Sequence, residues 1–330
     1  MQPAKKLQVY LITAVISFMV IYTIYYITQA PYQEQGLTAT ADSLYNTVFG
    51  LPGMKEDAGK NFISSSLVAI ASQKNNRQIF NGIISNSAPA PDSFYLIWGG
   101  VYQKEISDTL DKIMIEKMTS HPPLDFKYAT DGQPFLFTYL FRNLQLPTTF
   151  IETNDTMLFE GQPVSTVFYS PAFGKEPNGG VLFYLSDDKK VFALKVISQE
   201  AGDEAVWISS TDSVEFAKAE AYFQHATKNA MPDNERIKIP RLDFFFQKDF
   251  KANEIPGNLF SSDLKLIEQR YKLKTSARKI KRSITQINIA APKKTYEFNK
   301  PFSFYLEKTG DAKPYFSLMV RNPEILIKKR

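Results

Sequence analysis

Cysteine is absent from this chain, which excludes disulfides, a thiolate nucleophile and any cysteine-ligated metal. The absence says little about compartment, because a core drawn from 330 residues needs no covalent staples. Histidine is nearly absent as well. His121 stands beside prolines and His225 on a polar helix face, which leaves no material for a histidine-based triad or a histidine-rich metal site. G-x-S-x-G, H-E-x-x-H, the phosphate loop and the glycine-rich dinucleotide turn are also missing. Carboxylates cluster at Asp187/Asp188 and at Glu200/Asp203/Glu204, but these read as turns between strands, where solvated side chains are the default. The absences point to a protein that is not an enzyme and needs no cofactor.

What the chain does have is apolar mass: 44% hydrophobic residues and 26 Phe, ample for one large domain carrying an N-terminal appendage. Net charge is only +5. The excess gathers in the tract KLKTSARKIKR, where Lys272, Lys274, Arg278, Lys279, Lys281 and Arg282 form a basic patch, and at Lys328-Lys329-Arg330. Such a patch attracts polyanions through its field. Aromatic residues do not interleave with it as they do in single-strand binders, so nucleic acid is not an expected partner, and a solvated strand face is the competing reading.

Leu7 to Thr28 carries no charge over about 22 residues, enough to cross a hydrocarbon layer of about 30 Å as a helix. Lys5 and Lys6 precede it and the first acid after it is Glu34, so positive-inside bias sends everything after residue 30 out of the cytoplasm. A cleaved signal peptide is the alternative, which would give a secreted protein, but Thr28-Gln29-Ala30 is followed by Pro31 and makes a poor cleavage site. The expected organisation is therefore a signal-anchor over 1–30, a linker over 31–40 and an extracytoplasmic domain over 41–330. Asn154-Asp155-Thr156 is the one glycosylation sequon.

Periodicity and capping predict helices over 41–49, over 64–71 with Leu67, Ile70 and Ala71 inward, and over 78–84, 105–118 and 213–224. Apolar or alternating runs predict strands over 94–101, ended by Gly99-Gly100, and over 190–196 and 205–209. The most organised stretch is 282–323: an alternating strand from Ile284 to Ile289, then strands over 301–306 and 315–320 joined by the turn Lys308-Thr309-Gly310-Asp311.

Pro301-Phe302-x-Phe304-x-Leu306, the Lys-Thr-Gly turn, an apolar strand and Arg321-Asn322-Pro323 together resemble the C-terminal end of serpins. Ile237-x-Ile239-Pro240-Arg241-x-x-Phe244-x-Phe246, Phe141-Arg142-Asn143 in a long strand, and Met157 to Gly161 stand in the family's order, so the resemblance covers about residues 40–323. The family's tryptophan after the triplet is replaced by Gln145 or Leu146. The resemblance implies a serpin-like α+β fold of three mixed or antiparallel β-sheets and about eight helices, here preceded by one N-terminal transmembrane helix.

In serpins that inhibit proteases, a long bait loop with an acidic, Gly- and Ala-rich hinge follows the strand matched here by Lys281 to Ile289. Once cut, it enters the largest sheet as an extra strand. Only Ala290 to Lys300 stands in its place, with Ala290-Ala291 echoing the hinge, Pro292 unable to donate to a ladder, and Lys293 or Lys294 the residue a protease could cut. The bait loop therefore reads as deleted. The expected function is that of a membrane-tethered, non-inhibitory serpin-like module that binds an unknown protein partner or serves a structural role. An inhibitor with a short bait loop, or an unrelated α+β cell-surface protein, are the alternatives that strand order separates.

Overall fold

A computed structural model describes residues 36–74, 82–85, 93–117, 124–174, 180–197, 203–211, 231–260, 264–280, 291–309 and 314–328. The apolar run 7–28, both histidines, Lys281 and Arg282, the turn at Gly310-Asp311, the helix expected over 213–224 and the strand expected over 281–289 lie outside the described residues.

In chain order the strands are β1 (Leu37–Thr40), β2 (Thr47–Gly50), β3 (Asn61–Ser65), β4 (Gly82–Ser85), β5 (Ser93–Val101) and β6 (Pro134–Gln145). Next come β7 (Phe150–Phe159), β8 (Gln162–Tyr169), β9 (Val181–Leu185), β10 (Phe192–Ile197), β11 (Asp203–Ile208) and β12 (Glu235–Pro240). The last are β13 (Asp243–Lys251), β14 (Leu266–Ser276), β15 (Arg278–Lys279), β16 (Lys294–Glu297), β17 (Phe302–Lys308) and β18 (Phe316–Val320). They form three sheets: six strands ordered β1-β13-β14-β6-β5-β4, seven ordered β2-β3-β18-β17-β11-β10-β9, and five ordered β15-β7-β8-β12-β16. All three mix parallel and antiparallel pairs.

The main core lies between the first two sheets. Leu136, Leu140 and Leu144 of β6 and Ile267, Tyr271 and Leu273 of β14 share it with Trp207, Phe302, Phe304, Leu306, Phe316 and Leu318 of the second sheet. Trp207 and Phe304 rings stand 4.9 Å apart, and Tyr271 meets Phe316 at 5.8 Å. The alternation along β17 and β18 thus buries the residues it predicts. On the other face of β6, Phe135, Phe137 and Tyr139 are roofed by Leu110 and Met114 of the helix Glu105–Lys117. This strand is buried on both faces, which is why its sequence reads as one apolar run.

Among the described residues there are two α-helices, α1 (Leu67–Lys74) and α2 (Glu105–Lys117), rather than about eight. The segment 41–49 is a 3-10 turn followed by β2, because Thr47, Val48 and Phe49 are β-branched or aromatic and pair in parallel with β3. Ser64 and Ser65 belong to β3, so α1 starts later than expected; it buries Leu67, Val68 and Ala71 while Ile70 faces out. The segment 78–84 overlaps β4, whose Ile83 and Ile84 pair with β5. Gly99 and Gly100 do not end β5, since both stay in register with β6 as far as Val101. Pro147 divides the long run 135–150, with β6 stopping at Gln145 and β7 starting at Phe150.

Candidate functional site

The six-stranded sheet is antiparallel except at its edge pair β1–β13 and at its centre, where β14 runs parallel to β6 over eleven registered pairs, from Leu266↔Phe135 to Ser276↔Gln145. The pair is closed beyond that point as well, since Leu146 N donates to Ser276 O at 2.8 Å, and on the other side of β14 Thr275 N donates to Leu242 O at 2.7 Å. The inner face of the junction is largely apolar, with Thr138, Arg142, Gln269 and Thr275 its buried polar residues. The outer face carries Glu268, Arg270, Lys272 and Lys274 in alternation along β14, with Arg270 over the Phe137 ring and Lys272 over Phe141.

The strand that leads out of this junction is β14, ending at Ser276, and the strand expected over 281–289 lies outside the described residues. Apart from the two-residue β15, the next described strand is β16, which begins at Lys294. Seventeen residues, 277–293, separate the two, against the eleven of Ala290 to Lys300 that the sequence suggested. Lys294 is part of β16 itself, and Lys293 N donates to Asn234 O at 2.7 Å, so the expected cut site is the anchor at the loop's far end. Ala290 lies outside the described residues, while Ala291 and Pro292 lead into that anchor.

The near end of the segment does not enter the junction. Arg278 and Lys279 add as a short parallel edge strand to β7, opposite Ile151 and Glu152, and Ile280 N donates to Glu152 O at 2.8 Å. Glu152 is the anchor here. Its carboxylate accepts from Arg241 Nη1 at 2.8 Å and lies 3.5 Å from Lys279 Nζ. Arg241, 4% exposed, also donates to Asp243 at 3.2 Å, so one buried cation ties the first sheet to the third. Of the basic patch, Lys272 and Lys274 are half-buried on β14 and Arg278 and Lys279 are exposed. Burial pulls the Lys272 ammonium below its usual range. Asn154 is exposed where the β7–β8 register shifts between Glu152 and Thr156.

A second cluster, which sequence reasoning missed, sits lower on β14. Arg270 Nε donates to Glu268 Oε1 at 2.5 Å and Nη2 to Asp125 O at 3.3 Å, and its guanidinium lies 5.7 Å from both the Phe126 and Phe137 rings. Glu268 is 1% exposed, and burial, opposed by Arg270 and reinforced by Asp249, pushes its carboxyl up to about 8. Burial raises Asp249 too. One cation beside two buried carboxyls is neutral only if the pair keeps one proton, and Glu268 is the group that holds it. A cavity of about 660 Å³ opens above, with four basic and four acidic residues in its lining. That balance selects no charge of ligand. Glu204, expected in a solvated turn, is likewise buried, ion-paired with Lys195.

No family model matches the chain, and no curated protein matches it significantly. Solved structures do match. SRPN18 from Anopheles gambiae aligns with 13% identity and TM-score 0.41, over 66% of this chain and 65% of that one. Mouse protein-Z dependent protease inhibitor aligns with 15% identity and TM-score 0.44, over 66% and 62%. A tumour suppressing serpin aligns with 9% identity and TM-score 0.47, over 67% and 65%. These structures are serpins. Each serpin match spans just under two thirds of the serpin's own length.

Proposed function

We propose that this chain is a serpin-like binding or structural module, tethered outside the cytoplasm by Leu7 to Thr28, that does not trap proteases and catalyses no reaction. The observation that carries the reading is the charge of the segment after β14, not its length. Seventeen residues reach roughly 56 Å as a strand, more than the roughly 36 Å of the eleven-pair junction, so length alone would permit insertion. A strand placed between β6 and β14 must send alternate side chains to the two faces. One parity would put Arg278 and Arg282 inward and the other Lys279 and Lys281, and the remaining pair would face outward. Inward they meet buried Arg142 in an apolar core, and outward they meet Lys272 and Lys274. An unpaired buried cation costs several kcal/mol, so neither register is favourable.

The inhibitory reading draws on one specific observation, the seventeen-residue span itself, which is long enough to present a bait. Incubation with trypsin-like proteases decides between them, read by denaturing gels and by melting of the nicked product. Cleavage within 277–293 is expected, with no detergent-resistant complex and no rise in melting temperature. A stable higher-mass band, or a melting temperature raised by tens of degrees, makes the chain an inhibitor.

The partner of such a module is a protein not yet known. The tether supports a single-pass topology with the folded domain extracytoplasmic, and full-length protein is expected to float with vesicles in a salt-resistant manner.

A further inference from the structure

The chain enters the six-stranded sheet at a defined place. β1 runs parallel to β13 with Leu37 opposite Phe244, and Gly36 approaches Asp243 so closely that a Cβ there would meet Asp243 Oδ1 at 2.5 Å. Asp243 in turn lies opposite Lys274 on β14. At about 4.8 Å per strand, Lys274 stands roughly 10 Å from the point where the N-terminal segment joins the sheet. Arg278 and Lys279, both exposed, continue from the same end of β14. The carboxylates bonded there, Asp243 and Glu152, are both held by Arg241. With Lys274, Arg278 and Lys279 added, this end has four cations to two carboxylates among the described residues. In the sequence, eight residues separate Thr28, the last of the apolar run, from Leu37, a reach of roughly 30 Å at most.

We propose that this end of the sheet docks on the anionic headgroups of the same bilayer that holds the N-terminal run, with Lys274, Arg278 and Lys279 making the contact. The inference rests on the tether reading above and deepens it. The short connection confines the basic end to the neighbourhood of the surface. There, although the field of anionic lipid decays over a Debye length of about 8 Å, each basic residue that reaches it strengthens the contact about fivefold. The patch then sets which face of the domain is turned to the membrane.

The absence of native cysteine makes a single reporter clean. Gln145, exposed and opposite Ser276, is changed to cysteine and labelled with a fluorophore in the full-length protein. The protein is reconstituted in vesicles of phosphatidylcholine alone or mixed with phosphatidylglycerol, each carrying a headgroup-attached quencher. Quenching several-fold greater in the anionic vesicles is expected. It should fall to the phosphatidylcholine level in about 0.5 M salt, and also when Lys274→Gln, Arg278→Gln and Lys279→Gln are combined in a variant of unchanged melting temperature. Equal quenching in the two lipids overturns the docking surface and leaves the tether standing. Failure of the full-length protein to float with vesicles at high salt overturns the tether and this inference with it. A fluorophore response to soluble heparin, with none to anionic lipid, assigns the patch to polyanions and overturns the docking surface.

Discussion

Glu268 shows most plainly why single residues were hard to read. In LIEQRYKLKTS the charged side chains alternate with apolar ones, which is the signature of a solvated strand face. Phe126 and Phe137, brought in from other parts of the chain, cover that face and bury Glu268 and Arg270. Only tertiary contacts decide between the two states. The burial has a measurable sign. The folded-state carboxyl is pushed up to about 8 from the usual 4.5 of an unperturbed glutamate, so its contribution to stability is fully present below about 4.5 and is lost as pH rises through about 8. A single group of this kind produces a slope of up to about 1.4 kcal/mol per pH unit in that window. Glu268→Gln keeps a donor for Asp249 and an acceptor for Arg270 but removes the titration. Urea unfolding at pH 5, 6.5 and 8 should show the wild type losing stability relative to the variant across the series. A constant difference at all three pH values would mean that Glu268 is ionised in the fold.

At the scale of elements, the strands of the C-terminal hairpin were legible because pattern and packing agree. Phe302, Phe304 and Leu306 alternate in the sequence, and all three are fully buried against β11 and β18. Phe304 sits between Trp207 and Phe316, with ring centroids at 4.9 and 6.3 Å. Phe304→Ala therefore leaves a cavity that these rings cannot close, and should cost about 3–5 kcal/mol in denaturant unfolding. A midpoint equal to wild type would place the strand outside the core. The helices were less legible, since short apolar runs fit both periods and partner strands decided the outcome. Thr47 to Gly50 and Ile83-Ile84 became strands because β3 and β5 were there to pair with them. The boundary that mattered most was the end of β14. No glycine or proline interrupts the chain between Ser276 and Pro292, so pattern alone does not mark where the chain leaves the sheet. The backbone does, by handing Arg278 and Lys279 to β7.

For the whole molecule, the parallel junction of β6 and β14 joins segments more than a hundred residues apart, and no local pattern encodes that pairing. The three-sheet order is what turns the serpin resemblance into a mechanical question: whether the segment after β14 can ever become a strand of the six-stranded sheet. If charge is the barrier, removing it should open the path. A variant with Arg278→Thr, Lys279→Ala, Lys281→Ala and Arg282→Thr keeps the seventeen-residue length and presents no cation to either face before Lys293. The edge strand on β7 loses its ion pair to Glu152 in the same step, which frees the segment further. Nicking this variant after Lys293 or Lys294 should then allow insertion. Ladder hydrogen bonds contribute about 1 kcal/mol each, against the entropy of ordering the strand, so the nicked form should melt roughly 10 °C above the intact variant. The nicked wild type should show no such gain. Melting curves of the four species, intact and nicked, test this directly. If the charge-stripped variant gains nothing on nicking, the closed pairing of β6 with β14, rather than the cations, is what bars the strand, and the inhibitory mechanism is lost in the sheet itself.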